Sequence, residues 1–339
     1  VSRQTILASW IQLNVLPRLL LTKICLVRPT TLLRKNHNTE GGNVIDLTKL
    51  VTETRNPNTM DLDQMTPLEL VSVMNQEDLN VVAGVKEVLP QVAQAVEWAI
   101  SSLEAGGRIV YFGAGTSGRL GVLDAVECPP TFGVSPDVVV GLIAGGEKAF
   151  VRAVEGAEDS LELCEEEFKK IGLNKNDIAI GIAASGRTPY VIGGLRYARS
   201  LGCKTVAIAC NKGSEVGKEA ELAIEPSCGP EVLTGSTRLK SGTAQKMILN
   251  MISTGSMVGV GKAYQNLMVD VQQTNKKLVV RAQNITMAAT GCTREEAAQA
   301  LEQADGNAKL AIVMLLTQMP VDEAKAKLEA AHGHVRGAL

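Results

Sequence analysis

The sequence predicts an α/β protein in which a doubly wound parallel β-sheet is flanked by helices and followed by a small C-terminal helical domain. Short continuous apolar runs recur along the middle of the chain, at Ile109 to Phe112, Val138 to Ile143, Ile178 to Ala183 and Thr205 to Ala209. Strands that are buried on both faces of a parallel sheet have this pattern, whereas half-exposed strands alternate polar and apolar residues. Segments with helical spacing separate the runs, as parallel strands require.

The helices that precede the sheet are predicted from capping residues and apolar spacing. Thr66 followed by proline is a typical helix start, so Asp61 to Asn80 is predicted to be helical. A second helix is predicted from about Leu79, because apolar residues recur at helical spacing from Val81 to Leu103. Pro90 should kink or split this helix. The helices between the strands are predicted at Ser117 to Val126, Lys148 to Lys170 and Tyr190 to Leu201.

The chain after the predicted sheet is mainly helical. One long apolar helix is predicted from Gly242 to about Val258, and another from about Asn275 to Thr290. Thr293 and Glu296 form a capping-box sequence that opens a last helical cluster, which we interpret as a small three-helix domain. We therefore divide the chain into a sheet domain with its N-terminal helices, residues 44–270, and a helical C-terminal region, residues 271–339.

Residues 1–43 differ in composition from the rest of the chain. Residues 1–39 include basic side chains but no acidic one, and an apolar stretch there is interrupted by Pro17, Arg18 and Lys23. These interruptions make it a poor membrane span and a poor signal peptide. A transit peptide would be basic and acid-free, but the simpler interpretation is that the chain begins too early. We expect this leader to be disordered or not native, and exclude it from the fold prediction.

Composition and charge exclude several kinds of partner. The 34 Lys and Arg residues are balanced by 36 Asp and Glu residues, so no bulk charge would hold a nucleic acid or an anionic membrane. The seven cysteines include no C-x-x-C pair, which favours the reducing cytoplasm. With three histidines and no H-E-x-x-H motif, a zinc site would lack its usual ligands. We predict a cytoplasmic protein without a metal or other cofactor.

The first of two glycine- and hydroxyl-rich turns spans Gly113–Arg119. It follows a predicted strand and opens a helix, so its N–H groups and hydroxyls should face an anion above the strand ends. Its glycines also match the dinucleotide fingerprint G-x-G-x-x-G, but a lone match is weak. The next strand also leads into Ala144 and two glycines, not into the acid that would bind a ribose. The candidate binding residues here are Gly113, Thr116, Ser117, Gly118 and Arg119.

The second turn, Ala183–Tyr190, lies between the third predicted strand and its helix. Ser185 and Thr188 would supply hydroxyls, and Pro189 suits the first helical turn. Either turn alone could be a tight connection that uses glycine for backbone reasons. Two such turns at the carboxyl end of one sheet instead favour a phosphorylated sugar, with one turn for the phosphate and one for the other oxygens. The candidate binding residues here are Ser185, Gly186, Arg187 and Thr188.

The sequence resembles the sugar-isomerase (SIS) fold, and more closely the N-acetylmuramic acid 6-phosphate etherases, from Leu47 to the C-terminus. The matching blocks are Thr52–Pro57, Gly113–Arg119, Glu127–Pro130, Glu155–Ser160, Ala184–Tyr190 and Thr234–Lys246. The leader before Val44 has no counterpart in the family. The resemblance implies a homodimer that hydrolyses the lactyl ether of N-acetylmuramic acid 6-phosphate to N-acetylglucosamine 6-phosphate and D-lactate, during cell-wall recycling. It also implies catalytic roles for Glu127 and Glu158.

Two carboxyl groups with different protonation states suffice for this reaction. Opening the sugar ring gives an aldehyde that acidifies the neighbouring C–H, so lactate can leave by elimination and water can then add. We expect Glu127 to donate the proton and Glu158 to act as base, with burial or mutual repulsion separating their pKa values. Spacing alone favours an exposed helix acid for Glu158, which lies in a charged stretch, and the family resemblance reverses this interpretation. For Glu127 the alternative is an acid at the end of a helix, just before Cys128-Pro129-Pro130.

The position of Glu127 raises a geometric difficulty. If the helix from Ser117 is unbroken, Glu127 lies roughly 15 Å along it, at about 1.5 Å per residue. This is far for a hexose phosphate. Either the helix is short, or Glu127 reaches the site of a partner subunit, which is the hypothesis that we favour.

The sequence leaves open two alternative functions and the roles of several basic residues. A non-catalytic sensor is one alternative, because the glucokinase regulatory protein resembles this family, and an aldose–ketose isomerase of the same fold is another. In the last matching block, Ser236 is a candidate ligand. Arg238, Lys240 and Lys246 could contact substrate anions or only pair and cap at the start of the long helix.

Overall fold

The computed structural model describes residues 50–152, 154–273 and 276–339. The predicted leader lies outside these residues. Short 3₁₀ turns at Val51–Glu53, Pro57–Thr59 and Leu62–Gln64 precede the first helix. No helix in the described part of the chain is long and apolar enough to cross a membrane.

The core of the fold is a five-stranded parallel sheet. Its strands are β1 (Ile109–Gly113), β2 (Val139–Ile143), β3 (Ile178–Ile182), β4 (Lys204–Ile208) and β5 (Leu222–Ile224), and a small hairpin follows with β6 (Ala263–Tyr264) and β7 (Leu267–Met268). The order across the main sheet is β2-β1-β3-β4-β5. β1 therefore lies between β2 and β3, and the direction of winding reverses at the β1/β3 pair.

Helices cover both faces of this sheet. The helices of the described residues are α1 (Pro67–Glu87), α2 (Leu89–Glu104), α3 (Gly115–Phe132), α4 (Glu147–Val151), α5 (Leu163–Lys170), α6 (Pro189–Ser200), α7 (Glu215–Glu219), α8 (Lys240–Gly259), α9 (Lys276–Thr290), α10 (Arg294–Gln303), α11 (Ala308–Thr317), α12 (Val321–Ala330) and α13 (Val335–Ala338). Ile109 and Tyr111 of β1 pack with α1, α2, α3 and α8, whereas Val110 and Phe112 pack with α5 and α6. This alternation confirms the doubly wound sheet, and the helices from α9 onward share a separate apolar cluster.

The four predicted strands are present, each within one or two residues of its predicted bounds, because buried parallel strands give continuous apolar runs. β5 and the hairpin were not predicted, since runs this short carry no clear period. The predicted boundary near Leu79 between the first two helices is wrong. α1 starts at its Thr66 capping box and continues to Glu87, and Pro90 lies in the first turn of α2. Both sides of this junction have helical spacing, so only the proline marks the break.

The predicted single helix from Lys148 to Lys170 is also wrong. α4 ends at Val151, a 3₁₀ turn forms at Ala157–Asp159, and α5 begins at Leu163. Gly156 precedes the 3₁₀ turn with a φ of 76°, a left-handed conformation that a helix interior does not contain. The region that contains Glu158 is therefore a folded loop and not a helix surface.

Candidate active site

The two predicted turns lie side by side at one edge of the sheet. β1 and β3 pair in parallel with Gly113 opposite Ile182, so the turns that follow them emerge from adjacent strand ends. The strand order reverses at this pair, and ligands of open α/β sheets bind in the crevice at such a switch point. The structure thus brings together the two segments that the sequence singled out separately.

In the first turn, the side chains divide into those with internal partners and those without. The buried Ser117 hydroxyl donates to Gln245 Oε1 at 2.9 Å. The Arg119 guanidinium donates to the backbone oxygens of Phe150 and Ala149, at 2.7 and 2.8 Å. The half-buried Thr116 hydroxyl makes no hydrogen bond within the described residues. Thr116 and the first N–H groups of α3 are therefore what this turn offers to a ligand.

Gly113 and Gly118 serve mainly the packing of this turn. A Cβ on Gly113 would lie 2.7 Å from the Ile182 oxygen, and one on Gly118 would lie 2.5 Å from the Gly113 oxygen. The backbone explanation of these glycines is thus correct for the residues themselves. It does not account for the unpaired Thr116 hydroxyl beside them.

The backbone of the second turn points its carbonyl groups into the protein. The carbonyl oxygen of Ala184 accepts from Cys210 N at 2.9 Å, and that of Gly186 accepts from Val216 N at 2.9 Å. Because a trans peptide places its N–H opposite its C=O, the N–H groups of Ser185 and Arg187 face the other way. Neither N–H makes a hydrogen bond within the described residues. The N–H of Gly186, between them, donates to the Ala183 oxygen at 2.9 Å. Outward N–H groups such as those of Ser185 and Arg187 form an anion-binding concavity.

The side chains of the second turn add to this concavity. The Ser185 and Thr188 hydroxyls are partly exposed and make no hydrogen bond within the described part of the chain. Thr188 occupies the N-cap position of α6 without capping it, so its hydroxyl stays free at a helix N-terminus. Arg187 forms an ion pair with Glu215, in which Nε lies 3.5 Å from Oε1. Gly186 has a φ of 76°, which a side chain would disfavour.

Lys240 does not fit the predicted contact with substrate. Its side chain is 1% exposed, and Nζ lies 2.7 Å from Oε2 of the buried Glu77. The Glu231 carboxylate accepts from the N–H groups of Lys240 and Ser241, both at 2.9 Å, so it caps the start of α8. The sequence left two interpretations open for Lys240, a contact with substrate and a structural ion pair at the start of α8. The structure has the ion pair, with Glu77. Its ammonium has no exposed side for a phosphate.

Ser236 belongs to the loop that leads into α8. The start of α8 lies next to the first turn. A Cβ on Gly242 would lie 3.7 Å from the Thr116 methyl group and 3.6 Å from the Thr237 oxygen. Ser236 itself is half-buried, and Arg238 is exposed. Lys246 Nζ lies 3.9 Å from Oδ1 of the buried Asp124 and donates a hydrogen bond to Asn250 Oδ1.

Glu127 lies far from the first turn of its own chain. α3 runs unbroken from Gly115 to Phe132 through two prolines in its last turns, so the alternative of a short helix is wrong. Glu127 lies roughly 18 Å from Gly115 along this axis, at about 1.5 Å per residue. Its side chain is exposed, and the exposed apolar residues Leu123 and Val126 lie on the same helix.

Glu158 lies in the 3₁₀ turn Ala157–Asp159, which packs against α6 through the buried Ala157. α6 begins immediately after the second turn, so this packing ties the Glu158 loop to the anion-binding concavity. The Glu158 side chain is exposed. In a single chain, therefore, neither Glu127 nor Glu158 has the buried environment that we expected from the chemistry.

The structure also shows polar residues that the sequence analysis missed. Asn211, Glu77 and Glu231 are at least 95% buried and each makes several hydrogen bonds beside the site. Asn211 follows β4 at the same edge as the two turns, so its place after a buried strand was a usable signal. Within the described ranges, no three His, Cys, Asp or Glu side chains come together in a way that could hold a metal ion.

The comparisons with known proteins identify the fold family. Residues 91–199 match the N-terminal SIS domain of the glucokinase regulatory protein, and residues 167–254 match the SIS domain. The fold and the paired turns thus define an SIS-domain protein, as the sequence resemblance predicted. Among solved structures, a phosphoheptose isomerase from Francisella tularensis is similar with a TM-score of 0.43 and 19% identity, covering 57% of this chain and 98% of that chain.

Curated relatives define the family more narrowly. The N-acetylmuramic acid 6-phosphate etherase of Cronobacter sakazakii is 60% identical over 295 residues, which cover 87% of this chain and 99% of that protein. The enzyme of the same name from Brucella anthropi is 56% identical over 301 residues, covering 89% and 98%. The chain belongs to the N-acetylmuramic acid 6-phosphate etherase family, which confirms the resemblance seen in its motifs.

Proposed function

We propose that this chain cleaves the lactyl ether of N-acetylmuramic acid 6-phosphate in the crevice between its two turns, giving N-acetylglucosamine 6-phosphate and D-lactate. The observation that carries this proposal is the pairing of two hydroxyl-bearing turns at the β1/β3 switch point, in a chain that is 60% identical to an etherase along most of its length. The same high identity favours an etherase over a non-catalytic sensor. The reaction would serve cell-wall amino sugar recycling.

The second turn is the better candidate for the phosphate. It combines the outward N–H groups of Ser185 and Arg187 with the unpaired Ser185 and Thr188 hydroxyls at the start of α6. Phosphate oxygens accept hydrogen bonds from all of these groups. In the first turn, Ser117 and Arg119 already have internal partners, so Thr116 is left to bind another oxygen of the sugar.

The proposed chemistry is an elimination followed by hydration. A base removes the proton beside the aldehyde of the opened sugar, an acid protonates the departing lactate oxygen, and water adds to the conjugated product. We assign the acid to Glu127 and the base to Glu158. The Glu158 loop packs on α6, which also carries the phosphate turn, so Glu158 has a direct structural link to the bound substrate.

We further propose that the active form is a cytoplasmic homodimer in which Glu127 enters the partner's site. The unbroken α3 keeps Glu127 away from the turns of its own chain, and the exposed Leu123 and Val126 beside it give that helix an apolar surface for a partner. A partner would also bury both carboxyl groups, as the acid–base roles require. The six cysteines in the described ranges are free thiols, which supports a reducing compartment.

The test of the function is D-lactate release from N-acetylmuramic acid 6-phosphate in the presence of EDTA. We expect wild-type protein to release D-lactate and N-acetylglucosamine 6-phosphate in equal amounts. Binding of the substrate without release of lactate would instead support a sensor, and an isomerised sugar phosphate without lactate would support an isomerase.

The Glu158 loop offers a separate test through its contact with α6. A Cβ added at Gly193 would overlap the carbonyl oxygen of Leu161. We expect Gly193→Ala to destabilise the protein by about 1–3 kcal/mol and to lower lactate release by displacing Glu158. Urea unfolding and the lactate assay measure the two effects. Arg196→Ala, which removes an exposed ion pair from the same helix, should change neither by much.

A further inference from the structure

The backbone of the second turn is held by a side chain that lies outside it. Asn211 follows β4 and is 5% exposed. Its Nδ2 group donates to the Ser185 carbonyl oxygen at 3.2 Å and contacts the Ala184 carbonyl oxygen at 3.4 Å. The Ala184 oxygen has a second donor in Cys210 N, whereas Asn211 is the donor that the described residues provide to the Ser185 oxygen.

The same amide also holds the segment that precedes α1. Asn211 Nδ2 donates to Thr52 Oγ1 at 3.0 Å, and Asn211 Oδ1 accepts from Thr52 N at 3.4 Å. Thr52 is 1% exposed. The next residue is Glu53. A Cβ added to Gly235 would lie 3.3 Å from Glu53 Oε2, so this segment also lies against the loop that contains Ser236. The Asn211 side chain therefore connects the second turn to the Thr52 segment, and Glu53 in that segment lies against the loop that contains Ser236.

The contacts around Asn211 explain why an amide is needed there. Its nitrogen faces oxygen atoms of Ala184, Ser185 and Thr52, and its oxygen faces an N–H group. An amide supplies donors on one side and an acceptor on the other. A carboxylate would place negative charge against two carbonyl oxygens, and an alanine would leave them without this donor.

The direction of the Ser185 carbonyl matters for the ligand. The peptide between Ser185 and Gly186 is held by two hydrogen bonds, one from Asn211 Nδ2 to the Ser185 oxygen and one from Gly186 N to the Ala183 oxygen at 2.9 Å. Without the first, the Ser185 oxygen has no inward donor among the described residues, and a turn of this peptide toward the ligand would present a partial negative charge to a phosphate. The Ser185 hydroxyl, on the same residue, would shift with it. We propose that Asn211 is a positioning residue that fixes the second turn in its anion-binding form and fastens the Thr52 segment beside this turn. This inference rests on the proposed function, in which the second turn binds the phosphate.

The test compares Asn211→Ala and Asn211→Asp with wild type in the lactate assay. We expect Asn211→Ala to raise KM about tenfold or more while kcat changes less, because the loss falls on a turn that holds the phosphate and not on the proton-transfer groups. Asn211→Asp should raise KM further at pH 8 and recover partly near pH 5.5, where a protonated carboxyl regains one donor. Wild type measured over the same range provides the reference.

Controls separate positioning from a general loss of stability. Asn174→Ala removes a side-chain hydrogen bond to Asp177 in the turn before β3, away from the strand ends that carry the site, and should keep wild-type KM. Thr52→Val removes the hydroxyl partner of Asn211 but leaves the turn contacts, and should have a smaller effect on KM than Asn211→Ala. If Asn211→Ala is too unstable to assay, Asn211→Ser is measured in its place. Its hydroxyl is one bond closer to the backbone than the amide nitrogen and lacks the reach to the Ser185 oxygen, so the same KM increase is expected.

Binding of N-acetylglucosamine 6-phosphate by calorimetry provides a readout that does not require catalysis. We expect Asn211→Ala to weaken this binding by about the same factor as KM rises. An Asn211→Ala protein with wild-type KM and product affinity would overturn the positioning role and leave the proposed function untouched. Absence of lactate release from both wild type and Asn174→Ala would instead overturn the proposed function, and the calorimetric comparison would still decide the role of Asn211.

Discussion

Glu127→Gln and Glu158→Gln are each expected to lower D-lactate release by about 10²–10⁴-fold, because each removes one of the two groups proposed to transfer protons. The loss should appear in kcat more than in KM, since neither side chain belongs to the turn proposed to bind the phosphate. Glu155→Gln, which changes an exposed acid of the same loop, and Asp137→Asn, an exposed acid just before β2, are matched controls that should keep near wild-type activity. Wild-type rates in both glutamine variants would remove these residues from the mechanism.

Mixed dimers test whether Glu127 acts across the subunit interface. A Glu127→Gln subunit is combined with a Ser185→Ala, Thr188→Ala subunit. If Glu127 completes the partner's site, one of the two sites in the heterodimer contains an intact turn and an intact Glu127, so activity should rise well above that of either homodimer. If Glu127 serves its own chain, every site in the heterodimer is defective. Verified heterodimers that stay inactive would therefore contradict the proposed arrangement.

Lys240→Met is expected to destabilise the protein by about 3–5 kcal/mol, the largest stability effect that the structure predicts. The change removes the ammonium that lies 2.7 Å from Glu77 and leaves a carboxylate buried without its cation. Urea unfolding measures the loss. Lys212→Met, which breaks an exposed pair with Glu87, should change stability by only about 0–1 kcal/mol. Adding Glu77→Gln to Lys240→Met should recover part of the loss, since no unpaired charge then stays buried.

The same pair predicts how stability depends on pH. Burial alone would raise the pKa of Glu77, but hydrogen bonds from Lys240, Asn58 and Asn56 outweigh it and lower the pKa from 4.5 to about 2. A carboxyl whose pKa is lower in the folded state stabilises the fold above its unfolded pKa and loses this contribution as the pH falls. The unfolding free energy of wild type should therefore decline between pH 4.5 and 2 more steeply than that of Glu77→Gln. Parallel slopes would contradict this.

Local patterns in the sequence were sufficient for the sheet and for the two turns. β1 and β3 are fully buried, β4 is buried after its first residue and β2 is at least partly buried along its length. Each is therefore a continuous apolar run that a reader can recognise without the structure. A parallel sheet then requires the turns after its strands to emerge at one edge, which is why Gly113–Arg119 and Ala183–Tyr190 could be predicted to cooperate. The segments that match the etherase family then specified the reaction, which the strand and turn patterns alone do not.

Boundaries within helical stretches were less predictable. The junction between α1 and α2 and the loop that contains Glu158 both lie in segments whose spacing is helical or charged on either side. Their breaks depend on the backbone at Pro90 and Gly156. Such residues permit a break, but tertiary packing decides whether it occurs.

The sequence by itself therefore determined the class of fold, the family and the edge of the sheet that bears the candidate site. Only the tertiary structure decided which polar groups are free to bind a ligand. Ser117 is paired with Gln245, Lys240 with Glu77 and Thr52 with Asn211, across 128, 163 and 159 residues of chain respectively. A hydrogen bond between such distant residues leaves no periodic pattern, because it is created by the packing of elements and not by neighbours in the chain. Thr116 and Ser117 look equivalent in sequence for this reason, yet among the described residues Ser117 has a hydrogen-bond partner and the Thr116 hydroxyl has none.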